Sequence, residues 1–340
     1  MLFKKTFTLI AVLLVLAMPI FAQEPNPASD FEFSLNQAGT GVVISGFIGT
    51  GTAVVIPAEI EGFPVVQIAN NAFRNSRITS VVFPDTRITI GAGAFQNSRL
   101  THVTIPNTIG GIGGGAFSDL PDLVSVTFYN SVTNLDWNPR GTFANNRNLT
   151  TVTFSGSWVR IPDYMFVNCF NLTTVTFPSG LRNIGRAAFL NTTLTEIVLP
   201  EGIETIGIRA FAVTHPMRIF PTEWEYHASR FITAGNNALA NRSSIETLTI
   251  PEGVTRIYTE AFSNRRITTL VLPSTTSRMR IYADAFARNG ITEVLVPEDI
   301  RFVHVFLGRE RRGVPRIFYR NSINLQGQAA LRRAGYTSSF

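Results

Sequence analysis

One phrase returns along the chain at nearly fixed spacing, and it constrains the fold more than anything else in the sequence. The pairs Ala72-Phe73, Ala94-Phe95, Ala116-Phe117, Ala188-Phe189, Ala210-Phe211, Ala261-Phe262 and Ala285-Phe286 mark it, and Thr142-Phe143, Met165-Phe166 and Ala238-Leu239 fill the gaps. Successive units are 22 to 28 residues long. An isoleucine stands five residues before the Phe in eight units: Ile68, Ile90, Ile112, Ile161, Ile184, Ile206, Ile257 and Ile281. The units around Phe143 and Leu239 break that spacing and hold insertions. A strand-like phrase follows each Phe, as in LTHVTIP (100–106), LTTVTF (149–154), LTEIVLP (194–200) and ITTLVLP (267–273). Its last two apolar positions alternate with a polar one, the period of a strand with one buried face. The proline that ends most phrases stops the strand, because it has no N–H for the ladder.

No single unit of about 23 residues buries its own Phe, Ile and Leu. Stacked coils bury them against their neighbours, so the sequence predicts an α/β-type repeat solenoid with short parallel strands on one side and turns on the other. Ten or eleven coils at roughly 4.8 Å each give a stack about 50 Å long. Asn or Asp stands two residues past most of these Phe positions: Asn75, Asn97, Asp119, Asn145, Asn168, Asn191, Asn241 and Asn264, with Val213 and Arg288 departing. An inward amide there satisfies backbone groups at a turn. Phe73, Phe95, Phe117, Phe189, Phe262 and Phe286 are therefore read as structural, as are Asn75, Asn97, Asn168 and Asn264.

The frame L-x-x-V-x-I-P, then Ile-Gly-x-x-Ala-Phe and Asn, resembles the BspA-type (treponemal) leucine-rich repeat, and the phrase at 41–73 resembles the way such proteins enter their repeats. The resemblance covers roughly 41–320. It implies a curved leucine-rich repeat solenoid capped at both ends. It also implies a bacterial surface or secreted protein that adheres to host matrix proteins or to other cells. The organisation expected is a signal peptide at 1–22, an N-terminal linker or cap at 23–40, the solenoid at 41–320 and a C-terminal cap at 321–340.

The export signal is read from Lys4 and Lys5, the uninterrupted apolar run Leu9 to Met18, and Ala22-Gln23 as cleavage point. That run is too short to span a bilayer. Export places the chain at the cell surface or in the medium, with the periplasm, as an envelope scaffold, the alternative. Lys4 and Lys5 are the only lysines, so the mature chain carries 27 arginines against 23 acids. Residues 301–340 hold eight arginines and one acid, Glu310. The alkaline balance is thus local; it suits attachment to an acidic surface and not specific nucleic-acid binding.

Departures from the repeat are the candidate binding places. Trp137 lies in the insertion at 131–143, Trp224 and Tyr226 in that at 215–241, and Trp158 in a loop between coils. Tryptophan is enriched at binding hot spots; each of these also suits packing over an irregular coil. The outward strand positions form a second candidate, with Thr79, Thr101, Thr150, Thr173, Thr195, Thr268 and Thr292 in one column and Thr104, Thr127, Thr153, Thr176 and Thr249 in another. Threonine also suits any solvated strand. The C-terminal segment is the third, with a last strand at Val314, Ile317 and Tyr319 and a short helix at 326–334.

Little points to an enzyme. One cysteine, Cys169, excludes a disulfide framework and multi-cysteine metal sites, and His102, His215, His227 and His304 are scattered. Residues 111–116 match the dinucleotide fingerprint GxGxxA, but they are the Ile-Gly-x-x-Ala-Phe turn of one repeat. No cofactor and no metal ligand set is expected. Cys169 reads as a buried structural thiol.

Overall fold

A computed structural model describes residues 24–129, 134–135, 141–214, 244–273, 279–282, 284–296 and 316–319. The export segment, Trp137, Trp224, Tyr226, Ala238-Leu239, Asn241, Val314 and the 326–334 segment lie outside the described residues.

Each coil is held to the next along three parallel rows. The strand phrases pair in register, so that Val103, Val126, Val152 and Val175 occupy one level of successive rungs at 102–105, 125–128, 151–154 and 174–176. The isoleucine positions form the second row: Ile68, Ile90 and Ile112 pair in turn, as do Ile161, Ile184, Ile206, Ile257 and Ile281. The Ala-Phe turns form the third. There the Phe95 N–H donates to the Ala116 carbonyl at 2.8 Å, and Phe189 repeats the contact with Ala210 at 2.8 Å. The side opposite the strand phrases is therefore a ladder of its own; the only helix among the described residues is the 3-10 turn Ala28–Asp30.

The phenylalanines form the spine. Phe73, Phe95, Phe117, Phe143, Phe166, Phe189, Phe211, Phe262 and Phe286 are all buried. Consecutive rings stack with centroids between 4.9 and 5.6 Å apart and planes within 21°. Rings from the strand phrases meet them edge-on: Phe83 on Phe95, Phe128 on Phe143, Phe154 on Phe166 and Phe177 on Phe189. Face stacking within a column and edge contact between columns both suit the ring quadrupole, adding about 0.5–1.5 kcal/mol per pair beyond burial.

Two left-handed residues bracket every such Phe but Phe143 and Phe211, which lack one of the pair. Two before it stand Asn71, Gly93, Gly115, Tyr164, Ala187, Arg209, Glu260 and Asp284; two after it stand Asn75, Asn97, Asp119, Asn145, Asn168, Asn191, Asn264 and Arg288, all with φ between 51° and 65°. The asparagine position follows from this, since Asn tolerates the left-handed region better than other residues with a Cβ. Its amide also bonds along the stack: Asn97 donates to Asn75 at 2.9 Å, Asn145 to Asp119 at 3.0 Å, Asn168 to Asn145 at 3.0 Å and Asn191 to Asn168 at 2.8 Å. Asp119 has no N–H to pass on, so the chain of amides restarts there. The sequence points to inward amides bonded to turn backbone; Asn75 and Asn97 are instead exposed, and the bonds run mainly from amide to amide. Backbone satisfaction falls to the next residue in two coils, where Asn146 donates to the Phe117 and Phe143 carbonyls and Asn289 to those of Phe262 and Phe286.

Irregularities are absorbed between rungs. Leu135 pairs with Ile112, taking the isoleucine place in the Phe143 coil eight residues before the ring, where five is usual. Phe211 stacks directly on Phe262 at 5.3 Å, and Ile206 pairs with Ile257, so these two coils are neighbours in the stack. The described residues therefore hold nine stacked phenylalanine turns, fewer than the ten or eleven coils read from the spacings. Arg316–Tyr319 then adds a rung to Glu293–Val296, placing Ile317 and Tyr319 in a strand as expected. At the other end Phe31–Leu35 runs antiparallel to Val42–Phe47, and Phe47 stacks on Phe73. Asn26 covers the edge beside it, accepting from the Val55 N–H at 2.8 Å and donating its own N–H to the Val55 carbonyl at 3.1 Å.

These contacts give separable expectations. Asn168→Ala loses a left-handed preference and two ladder bonds and should cost about 2–4 kcal/mol, whereas Asn168→Gly keeps the conformation and should cost about half as much. Urea unfolding of the two variants checks the order; equal losses would remove the conformational account.

Cys169 is fully buried, its thiol donating to the Phe143 carbonyl at 3.3 Å. Burial pushes its pKa up from 9.0 to about 12; a backbone hydrogen bond from Asn146 opposes this and the Asp119 charge adds to it. The folded state thus holds its proton where the unfolded chain loses it. Stability is unaffected below pH 9.0 and falls between pH 9.0 and about 12. The slope reaches about 1.4 kcal/mol per pH unit. The stability difference between the native chain and Cys169→Ala should narrow accordingly from pH 8 to pH 10, read by denaturant unfolding.

Candidate functional site

The strand-phrase side presents a broad polar face. Outward positions at one level are His102, Ser125, Thr151 and Thr174, in register on four adjacent rungs; at the next level they are Thr104, Thr127, Thr153 and Thr176. Beyond the 194–199 phrase, which forms no strand, Thr247 pairs with Thr269 and Thr249 with Val271. The second threonine column expected from the sequence is therefore a real, solvent-facing column.

The first column differs from a free hydroxyl array. Thr101 Oγ1 donates to the Thr79 carbonyl at 3.3 Å, Thr150 to Val124 at 3.1 Å and Thr173 to Thr150 at 3.4 Å. Thr195 repeats this with Thr173 at 3.3 Å and Thr268 with Glu246 at 2.9 Å. Each hydroxyl hydrogen is committed to the preceding coil, so these threonines fasten rungs and leave methyl groups and acceptor lone pairs for a partner. A shallow open groove of about 500 Å³ lies beside the start of this column, lined by Arg77, Thr79, Arg99, Thr101 and Asp122. The Arg99 and Asp122 side chains close an ion pair at 2.7 Å across it.

Trp158 leaves the candidate surface. It is 1% exposed and wedged edge-on between Phe128 at 5.1 Å and Phe154 at 5.0 Å. The loop in which it sits folds inward because those two rings stack on each other and offer their edges. Its indole N–H is buried without a hydrogen-bond partner, the remaining cost of using so large a ring as filler.

The exposed aromatic on this side is one the sequence reading passed over. Tyr129 is 61% exposed and follows Ser125–Phe128 directly. It occupies the place of Pro84, Pro106, Pro178, Pro200, Pro251 and Pro273 in other coils, and that departure was the available signal. Val124, 41% exposed, opens the same strand where neighbouring coils carry Thr101 and Thr150. The insertion containing Trp137 begins immediately afterwards. One coil thus departs from the repeat at both ends of its strand.

No group of three or more His, Cys, Asp or Glu fit to hold a metal occurs among the described residues, and no helix there is long and apolar enough to cross a membrane. His102 Nδ1 and Ser125 Oγ lie 2.7 Å apart on adjacent rungs, an exposed cross-strand pair with no carboxylate on the imidazole among the described residues. Gly113, within the GxGxxA match, sits against a neighbouring coil, where a Cβ would meet the Ala92 backbone nitrogen at 2.4 Å. That glycine answers to coil packing.

The architecture is a parallel β-solenoid of the leucine-rich repeat class. The BspA type leucine rich repeat region matches residues 66–195 and 182–306, with six copies, and the chain belongs to that family. No curated protein matches the chain. Among solved structures, the chain is similar to a leucine rich cell surface protein from Faecalibacterium prausnitzii A2-165, with 21% identity over 94% of this chain and 100% of that one and a TM-score of 0.46. It is also similar to the T. pallidum leucine rich repeat protein, at 18% identity over 93% of this chain and 99% of that one, TM-score 0.30. A leucine-rich repeat protein from Bacteroides ovatus ATCC 8483 shows 16% identity over 86% and 98%, TM-score 0.29.

Trp158→Ala should lower stability by about 3–5 kcal/mol through cavity formation. Thermal unfolding checks it; a variant as stable as the native chain would return Trp158 to the surface.

Proposed function

We propose that this is an exported, non-enzymatic protein-binding solenoid that works at the cell surface as an adhesin, engaging host matrix or cell-surface proteins through its strand-phrase face. The observation that carries the reading is the coil at 124–129. It sets an exposed Tyr129 and an exposed Val124 at the two ends of one strand, beside rungs of threonine and serine. A tyrosine ring beside apolar and hydroxyl-bearing side chains is the composition of a protein-binding hot spot. Solenoids offer such faces because partner contacts on outward positions leave the inward ones undisturbed. The basic N-terminal segment with its ten-residue apolar run supports export, and family membership supports the surface location.

Two measurements test this. Protease treatment of intact producing cells should digest the protein while a periplasmic marker survives; protection until the envelope is opened would instead favour an envelope scaffold. The purified chain should bind at least one member of a panel of extracellular-matrix proteins. Val124→Thr with Tyr129→Ser, which restores the residues found in neighbouring coils, should weaken that binding at least tenfold, about 1.4 kcal/mol, with the unfolding midpoint unchanged. Unaltered affinity would reject this coil as the contact.

A further inference from the structure

We propose that the rungs bearing Arg256 and Arg280 form a second site, on the isoleucine-row side of the solenoid, that binds an acidic polysaccharide. The residue before each inward isoleucine points outward on this side. Where that row carries arginine earlier in the chain, the charge is neutralised. Arg160 Nη2 lies 3.0 Å from Asp163 Oδ1, and Arg182 Nη1, one position earlier in the next coil, lies 2.6 Å from Glu204 Oε1.

Further along, the neutralising residues disappear. Arg256 and Arg280 pair in register on adjacent rungs, and both are exposed. The place of Asp163 is taken by Thr259 in one coil and by alanine at 283 in the other; the place of Glu204 is taken by Thr255 and Met279. Among the described residues neither arginine meets a carboxylate. Two like charges one rung apart destabilise a sheet, so the scaffold gains nothing from this pair, whereas an anion bridging both removes the repulsion.

The neighbouring position changes at the same two coils. Gly91, Gly113, Gly185 and Gly207 stand four residues before their phenylalanines, but Tyr258 and Tyr282 stand there in these coils. The two tyrosine rings are half-buried and stacked, with centroids 4.8 Å apart and planes 14° apart. Each rung thus offers a guanidinium and, two residues on, a tyrosine. Guanidinium forks hold carboxylate or sulfate bidentately. Tyrosine presents an apolar body and a hydroxyl, which suits the mixed C–H and O–H surface of a sugar. Rungs about 4.8 Å apart set the charges at nearly the spacing of successive sugars in an extended chain. A polysaccharide with one anionic group per sugar meets both columns. Duplex DNA, whose bases are stacked inside, or an anionic bilayer would use the arginines and leave the tyrosines idle. The arginine-rich sequence from 301 onward adds long-range attraction of the same sign.

The test uses the full mature chain and heparin as the probe at fixed salt, with double-stranded DNA and vesicles of phosphatidylglycerol and phosphatidylcholine in equal parts as comparisons. Arg256→Gln with Arg280→Gln should weaken heparin binding at least about tenfold, and the charge-matched pair Arg160→Gln with Arg182→Gln by less than about threefold. Tyr258→Ser with Tyr282→Ser should weaken heparin binding and leave DNA binding unchanged. Thermal unfolding confirms that each variant is folded; should the glutamine pair unfold, Arg256→Lys with Arg280→Lys, which keeps charge and loses the fork, replaces it with an expected loss of about threefold. Absence of heparin binding, equal loss in the two arginine pairs, or tyrosine variants that bind heparin like the native chain would overturn the proposal. The Val124 and Tyr129 variant should retain heparin binding, which separates this site from the strand-phrase face.

Discussion

Everything in this solenoid depends on one phenylalanine per coil lying flat on the next. The ring spacing of about 5 Å is set by aromatic stacking, and the rung spacing of a parallel ladder, about 4.8 Å, is set by backbone hydrogen bonds. Because the two lengths nearly coincide, a coil satisfies both by lying directly over its neighbour. Chain length between rings then matters little. Phe211 and Phe262 stack at 5.3 Å although fifty-one residues separate them, twice the usual interval.

Holding each ring in place demands unusual backbone. Left-handed residues on both sides of the Phe turn the chain tightly enough to point the ring inward and return toward the strand. After the ring the demand is met by asparagine in six of eight turns, and there the side chain adds a ladder bond. Before the ring it is met by Asn, Gly, Tyr, Ala, Arg, Glu and Asp alike. A left-handed Tyr164 or Arg209 costs about 1–2 kcal/mol, which is tolerable only because the flanking N–H and C=O groups are fixed by both neighbouring coils.

This division explains what was legible in the sequence. The inward positions repeat in residue type, so the Ile and Phe columns and most strand phrases show in the spacing, whereas the 194–200 phrase carries the same pattern and forms no strand. Positions governed by a neighbouring coil do not show there. Trp158 looked like an exposed departure because its loop has no repeat pattern; its burial follows from the Phe128–Phe154 ring stack, a contact across 26 residues. Leu135 was hidden because three extra residues separate it from its ring, although its pairing with Ile112 keeps the rung. Phe211 and Phe262 stack directly although Ala238-Leu239 matches the spacing between them. The hydroxyl bonds of the first threonine column to the preceding coil depend on the rung geometry, and no single phrase contains them.

A scaffold whose inward residues fix its shape leaves the outward ones nearly free, and that freedom makes departures informative. An outward threonine or serine fits every rung; an exposed Tyr129 in a proline place, or two arginines facing each other without a carboxylate, improves no rung. The acids at Asp163 and Glu204 show that the same sheet can neutralise its arginines where shape alone is at stake. The two kinds of departure also lie on different faces and differ in chemistry, one apolar and aromatic, the other cationic. Since neither lies in the phenylalanine stack, each face can change by substitution without disturbing the other or the fold that presents both.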